Sequence, residues 1–149
     1  MAENKMTLAE LQDRITQAPF HQWLGLKVAE VTEDGIQITV PWRQEFLVNA
    51  EAGYAHGGIL ATLIDTASDY ALAAKIGGPV PTVDLRVDYH RAAKEGEITV
   101  QARVIKLGRT FSPPKPRSSM PRAACWPAGA ACSTCPPAKG GAQKFKERP

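Results

Sequence analysis

The sequence predicts an α+β fold in one domain, with one long helix at its centre. The chain has 149 residues, the length of a single ordinary domain. Apolar residues recur at helical spacing in 7–18 and 57–75. Between and after these helices, apolar and polar residues alternate as in half-buried strands, in 26–31, 36–42, 82–89 and 97–107. The predicted order is helix, hairpin, long helix, strand, strand.

The first half of the chain has clear local signals. Thr7 followed three positions later by Glu10 is the reciprocal capping pattern of a helix start, and Pro19 is predicted to end that helix. The two strands that follow are separated by Glu33, Asp34 and Gly35, a turn signal. These signals predict a helix followed directly by a β-hairpin.

The second predicted helix has apolar residues on nearly all sides. A helix of this kind is typically central, because no face suits water. Gly77, Gly78 and Pro79 stop it, and the two long strand candidates follow. The apolar positions of the helix are Ile59, Leu60, Leu63, Ile64, Ala67, Tyr70 and Ala71.

The composition changes abruptly after Phe111. Residues 1–111 contain 27 Leu, Ile and Val, whereas residues 112–149 contain none and hold eight of the twelve prolines. We therefore predict two parts, a domain over 1–111 and a poorly ordered Pro/Ala/Cys-rich tail over 112–149.

The charges and cysteines of the tail carry no functional signal. Residues 1–111 hold 11 Lys and Arg against 14 Asp and Glu, and the tail holds 7 against 1. The basic pI therefore reflects the tail, which has no nucleic-acid-binding motif. All cysteines lie there too, but no second pair or nearby His completes a zinc site, so no metal is predicted. The cysteines are Cys125, Cys132 and Cys135.

The residues from Asn49 to Tyr70 contain the pattern that suggests chemistry. Gly57 and Gly58 open the long helix, where free backbone N–H groups and the helix dipole favour negative charge. Asp65 follows on an otherwise apolar stretch, where a carboxylate is costly without partners. A helix N-terminus that polarises a carbonyl and a carboxylate that activates water are the parts of an acyl-transfer site. Equally, the glycines can mark a tight start to a packed helix, and a lone Asp can face solvent.

The spacing of these groups predicts a dimer. Eight helical residues span about 12 Å, too far for Gly57 and Asp65 of one chain to act on the same carbonyl carbon. A second copy packed antiparallel would bring them together. The mechanism therefore places the sites at a subunit interface.

The motifs HGGILATLIDTA and TVDLRVDYHRAAKEGEITVQARVIKLGR resemble the PaaI-type thioesterases of the hotdog superfamily, over about residues 20–111. The resemblance implies an antiparallel sheet wrapped around one long central helix. It also implies dimers that often pair into tetramers. The implied activity is hydrolysis of acyl-CoA thioesters without metal or cofactor, since CoA is part of the substrate. We expect the chain to be a soluble, cytoplasmic protein that binds neither nucleic acid nor a membrane.

The resemblance also implies roles for particular residues. Asp65 would be the catalytic carboxylate and the Gly57 amide the oxyanion donor. His56 would shape the pocket or, as an alternative, only hydrogen-bond to backbone; Thr82 would lie near the attacking water or be only a strand residue. Relatives often carry an Asn six residues before the His, where this chain has Ala50. The candidate substrate-binding residues are Gly58, Arg91, Lys106, Gly108 and Arg109, of which the cations can equally be solvated charges.

The resemblance requires two more strands after Arg109, which the tail as written does not predict. In the frame that joins the last base of each codon to the first two of the next, Pro121 and Pro127 must become Ala. The degenerate positions of that frame permit GRTFSTAEAKVFDAQGRLLASGRGVF, two alternating strands around a turn. We infer that one base was lost near the Ser112 codon. The tail as written predicts a destabilised, aggregation-prone product with uncovered strand edges.

The sequence leaves three alternatives to thioester hydrolysis open. Hydratase or dehydratase chemistry occurs on the same fold, but those enzymes typically pair a catalytic His with an Asp a few residues away, and no His follows Asp65 at such a spacing. A non-catalytic protein that binds acyl or aromatic ligands is the second, and an inactive product of a frameshifted gene is the third.

Overall fold

The computed structural model describes residues 4–105, 107 and 130–135, the last six by their backbone. The described helices and strands occur in the order helix, helix, hairpin, long helix, strand, strand. They are α1 (Leu8–Ile15), α2 (Pro19–Leu24), β1 (Lys27–Val31), β2 (Gly35–Val40), a 3-10 turn (Gln44–Phe46), α3 (Gly57–Ile76), β3 (Ile98–Val104) and β4 (Ala130–Cys135).

The capping pattern at Thr7 forms as predicted. The Thr7 side chain accepts from the Glu10 amide, and the Glu10 carboxylate accepts from the Thr7 amide at 2.7 Å. The prediction that Pro19 ends this helix was wrong, because α1 already ends at Ile15 and Pro19 is instead the first residue of α2. Proline suits that position, since the first amide of a helix needs no intrahelical acceptor.

The sheet is antiparallel with the order β1-β2-β3-β4. In the predicted hairpin, the Thr32 amide donates to the Gly35 carbonyl at 2.9 Å, and the Gly35 amide donates to the Thr32 hydroxyl at 3.1 Å. A Cβ at Gly35 would lie 1.8 Å from the carbonyl oxygen of Ala102 on β3. Glycine therefore allows the turn to meet the neighbouring strand.

Helix α3 is central, as its apolar pattern predicted. Twelve of its twenty residues are buried, and it contacts β2, β3 and β4. Its last turn is joined to the hairpin, where the buried Lys75 ammonium donates to the Glu33 carbonyl. The core between α3 and the sheet includes Val40, Leu63, Ala67, Ala71 and Val100.

The predicted strand 82–89 was wrong as a paired strand within the described residues. Asp84 takes part in a bridge, but no continuous ladder forms along this segment. Alternation alone cannot make a strand, because each extended segment needs a neighbour for its N–H and C=O groups. Val83 and Tyr89 accordingly remain 53% and 56% exposed.

Of the two final strands that the resemblance requires, the described residues contain one, and it lies in the tail. β4 pairs with β3 from Thr99 opposite Cys135 to Val104 opposite Ala130. The expectation that the tail as written supplies neither strand is corrected here. Ladder pairing uses backbone groups alone, and Ala130–Cys135 lacks proline, so every residue keeps its N–H. The predicted boundary near Phe111 and the inferred base loss stay predictions, and 112–129 and 136–149 lie outside the described residues.

Candidate active site

His56 caps the first turn of α3 and leaves one amide with no acceptor among the residues that the structure describes. Its Nδ1 accepts from the Gly58 amide at 2.9 Å, and its own amide donates to the Phe46 carbonyl at 2.7 Å. The Ile59 amide donates to the His56 carbonyl at 3.0 Å. No described residue accepts from the Gly57 amide, so this N–H at the positive end of the helix dipole can receive an external oxygen.

The surroundings of α3's first residue are aromatic and tight. Phe46, which holds His56, is fully buried and meets Trp23 and Trp42 edge-on at 6.0 and 6.1 Å between ring centroids. The Tyr89 hydroxyl donates to the Gly57 carbonyl at 3.0 Å, and a Cβ at Gly57 would lie 3.3 Å from the Tyr89 ring. The Gly57 carbonyl is therefore held by Tyr89, and the preceding residue, His56, is held by Phe46.

Asp65 lies farther along α3, half-buried, with Thr82 beside it. The Thr82 hydroxyl donates to Asp65 Oδ1 at 2.6 Å. Thr82 has only this one hydroxyl proton to donate, so its direction is fixed by the carboxylate. The pair predicted from the resemblance is thus brought together, with the second carboxylate oxygen, Oδ2, pointing to no described donor.

Asp69, which was not predicted from the sequence, lies one helical turn beyond Asp65 on the same face of α3. Its Oδ1 accepts from the Val80 amide at 3.1 Å. Burial raises the pKa of Asp69, the Val80 hydrogen bond opposes this, and the charge of Asp65 adds to it. The spacing of four residues was the available signal, because positions i and i+4 share a helix face.

Tyr70 and His21 lie beside this acidic pair. Burial raises the pKa of the Tyr70 hydroxyl, with the neighbouring charge of Asp69 as a second cause. The His21 ring meets the Tyr70 ring edge-on at 5.8 Å between centroids. Helix α2 therefore contacts α3 at Tyr70, the residue that follows Asp69.

The remaining predicted site residues have mixed outcomes. Gly58 opens α3 as predicted, but its amide already has an acceptor in His56. Arg91 is exposed on the segment that follows Tyr89, and the next residues reach the start of α3 through the Ala55 amide, which donates to Ala93 at 2.8 Å. Asn49, which lies seven residues before His56 and was not predicted as a site residue, caps a local turn by accepting from the Glu51 and Ala52 amides. Lys106, Gly108 and Arg109 lie outside the described residues.

Within one chain, the free amide and the carboxylate stay two helical turns apart. Gly57 and Asp65 are eight residues apart on the unbroken helix α3, or about 12 Å along its axis. One chain therefore offers the donor and the carboxylate at separate points. Among the described residues, no group of three His, Cys, Asp or Glu side chains is placed to hold a metal ion.

Comparison with known proteins decides the family. The sequence model of the thioesterase superfamily matches residues 52–112, the stretch that holds His56, Asp65 and Thr82. A Halobacterium salinarum protein described as a candidate esterase is 31% identical over 107 residues, which cover 68% of this chain and 70% of that protein. The chain belongs to the thioesterase superfamily. The family and the names of these relatives support thioester hydrolysis as its general activity.

Two further relatives agree with this assignment. Human acyl-coenzyme A thioesterase 13 is 42% identical over 62 residues, which cover 40% of this chain and 44% of that protein. A crystal structure of a thioesterase superfamily protein superimposes with a TM-score of 0.67 at 37% identity, covering 87% of this chain and 99% of that one. The predicted hotdog fold, with its antiparallel sheet around one long helix, is confirmed. In the part of this thioesterase-superfamily chain that the structure describes, no helix is long and apolar enough to cross a membrane.

Proposed function

We propose that this chain hydrolyses acyl-CoA thioesters to a free acid and CoA at an interface between two copies of itself. Asp65 acts as base or nucleophile, and the Gly57 amide of the second copy binds the oxyanion. The observation that carries the proposal is the Gly57 amide, which has no acceptor among the described residues and lies at the start of the same helix that carries the Asp65–Thr82 pair. The proposed reaction needs no cofactor, because water supplies the incoming oxygen.

The proposed chemistry follows from where charge develops. With Asp65 as base, its carboxylate takes a proton from water while the water oxygen bonds to the thioester carbonyl carbon. The carbonyl oxygen becomes negative and accepts from the Gly57 amide, whose dipole is already aligned. The carbon–sulfur bond then breaks, and the proton on Asp65 passes to the sulfur of CoA. Thr82 holds the carboxylate in one orientation throughout.

The mechanism with Asp65 as nucleophile differs from the mechanism with Asp65 as base by one covalent intermediate. Asp65 would bond to the acyl carbon, expel the CoA thiolate and form an anhydride that water then cleaves. Mass spectrometry of acid-quenched protein during turnover separates the two cases. An acyl adduct on the 57–75 peptide indicates the nucleophile, and its absence at a time of full turnover indicates the base.

The proposal includes one described residue as a contact for the CoA part of the substrate. Arg91 is the one described cation among those predicted for the CoA phosphates, and it lies on the segment that follows Tyr89. Cations favour phosphate through charge-assisted hydrogen bonds. We also propose self-association as a dimer or tetramer and a cytoplasmic location, in keeping with a dissolved acyl-CoA substrate.

The test is a panel of acyl-CoA thioesters of different chain length, including aromatic acyl groups, with free thiol release as the measurement. The printed chain and a version with the alternative frame restored from Ser112 are assayed together. Turnover that Asp65→Asn lowers by about 100-fold or more supports the proposal. Asp13→Asn, which removes an exposed carboxylate from α1, is the matched control and should keep full activity. Retained turnover in Asp65→Asn overturns the role of Asp65.

A ligand-binding protein without activity is the competing outcome. Acyl-CoA that raises the melting temperature without any release of thiol would favour it and exclude the hydrolase. No thiol release and no thermal shift in either version would exclude both.

A further inference from the structure

Two carboxylates on α3 hold the same short segment of the chain. Asp65 accepts from the Thr82 hydroxyl at 2.6 Å, and Asp69 accepts from the Val80 amide at 3.1 Å. Four residues of helix rise about 6 Å, and two residues of extended chain span about 6.6 Å. The spacing of the two acceptors therefore matches the spacing of the two donors.

This attachment matters because the segment has little other support. Residues 82–89 form no continuous ladder with the described residues, and Thr82 is exposed. Since the backbone pairing of this segment is limited to the bridge at Asp84, no continuous ladder fixes the distance between Thr82 and Asp65. The hydrogen bond from Val80, two residues earlier, supplies a fixed point.

We propose that Asp69 is a positioning residue for the thioesterase reaction: by holding the Val80 amide, it keeps the Thr82 hydroxyl on Asp65. The inference rests on the proposed function, since it concerns the orientation of the proposed catalytic carboxylate. Asp69 itself touches no substrate in this scheme. Its effect passes through Val80 and Thr82.

The electrostatics at Asp69 agree with a role other than stability. Its carboxylate is half-buried and faces the charge of Asp65, and both effects raise its pKa. His21 and Arg14 oppose this as the nearby positive or protonatable groups, as does the Val80 hydrogen bond. A carboxylate here costs folding energy that a neutral side chain would not, while its oxygen accepts the hydrogen bond that fixes the segment.

The experiment compares Asp69→Ala, Asp69→Asn, Thr82→Val and the double variant Asp69→Ala with Thr82→Val in the full chain. Asp69→Ala should lower kcat about tenfold, the effect of losing one well-placed hydrogen bond, with KM changed less than twofold. Asp69→Asn keeps an oxygen for Val80 and should recover most of kcat. The double variant should be no slower than Thr82→Val alone, because both changes remove the same contact.

Two further measurements separate positioning from general destabilisation. Asp88→Ala is the control, because the Asp88 carboxylate lies on the same segment but pairs with Arg86, at 3.4 Å. This variant should leave kcat unchanged. Amide hydrogen exchange at Val80 should quicken in Asp69→Ala and return towards the original rate in Asp69→Asn, independently of activity.

The outcomes distinguish this inference from the proposed function. If the parent chain turns over acyl-CoA and Asp69→Ala has unchanged kcat, this inference alone is wrong. The positioning role is also overturned if the fold-losses in kcat of Asp69→Ala and Thr82→Val multiply in the double variant. If the parent chain and its frame-restored version turn over no thioester, the proposed function falls and this catalytic role falls with it, whatever the exchange rate of Val80.

Discussion

The Thr82 hydroxyl donates a hydrogen bond to Oδ1 of Asp65 over 2.6 Å. Valine has nearly the same shape without the hydroxyl, so Thr82→Val should lower kcat about tenfold by removing a hydrogen bond to a charged group. Thr82→Ser keeps the hydroxyl and should retain most of the activity. Steady-state kinetics on one acyl-CoA substrate gives the comparison. Thr39→Val, in β2, serves as a control for the same change in a strand.

Replacing Gly57 tests the amide directly. Gly57→Pro removes the N–H, and it suits the backbone because proline is favoured at the first helical position and His56 is already extended at φ −60° and ψ 134°. We expect kcat to fall about 100- to 1,000-fold, the usual effect of losing one oxyanion donor. Gly57→Ala has the same Cβ, 3.3 Å from the Tyr89 ring, but keeps the N–H. Equal losses in the two variants would show that crowding, and not the amide, is responsible.

Mixing two inactive variants tests the shared site. In a heterodimer of Asp65→Asn and Gly57→Pro chains, one of the two sites at the interface would combine the intact Asp65 of one copy with the intact Gly57 of the other. Random equal mixing after unfolding and refolding should therefore restore about a quarter of the parent activity. Each variant refolded alone provides the baseline. No recovery in a mixture shown to contain heterodimers would place both groups in the site of a single chain.

The raised pKa of Asp69 predicts a pH-dependent stability. Burial and the charge of Asp65 raise that pKa above its ordinary value of 3.8, while Val80, His21 and Arg14 oppose this. Ionised Asp69 thus costs stability at neutral pH, and the cost disappears as acid protonates it in both states. Asp69→Asn should have a higher urea midpoint than the parent at pH 7, and the difference should shrink towards pH 3.8 and below.

The Glu10 carboxylate should show the opposite dependence of stability on pH, because its pKa is lowered and not raised. The Thr7 backbone and side chain lower the pKa of the exposed Glu10 carboxyl, so this group contributes stability above its ordinary value of 4.5 and loses it on acidification. Glu10→Gln should therefore lower the urea midpoint at pH 7 and lose its effect in acid. An Asp69→Asn variant less stable than the parent at pH 7 would contradict the prediction for Asp69.

What the sequence predicted well was local. The capping box of Thr7 and Glu10, the turn at Gly35 and the helix from Gly57 each depend on residues within a few positions of one another. Segment 82–89 failed because its pattern describes one strand, whereas pairing requires a second. Asp69 was missed since its partner, Val80, is eleven positions away on a segment whose path no local pattern fixes.

The tail makes a prediction that a mass measurement can check. We infer that one base was lost near Ser112, and the Cys125–Trp126 pair strengthens this. Either possible Cys125 codon ends in T or C, and that base joined to the first two bases of the Trp126 codon gives TTG or CTG, both of which encode Leu. Sequencing of the locus should show the extra base, or the intact mass of the native protein should match the restored frame. Peptides from 113–149 as printed, recovered from stable native protein, would rule out an error in the sequence.

The cap of α3 has a consequence for charge. Ser, Thr, Asp and Asn are the usual N-cap residues, and an Asp at position 56 would hold the Gly58 amide as well as His56 does. It would, however, bring a full negative charge next to the single amide meant to receive another. An imidazole that accepts through Nδ1 satisfies the same amide while uncharged. His56 thus caps the start of α3 without repelling an anion. His56→Asp should leave α3 folded while lowering the activity.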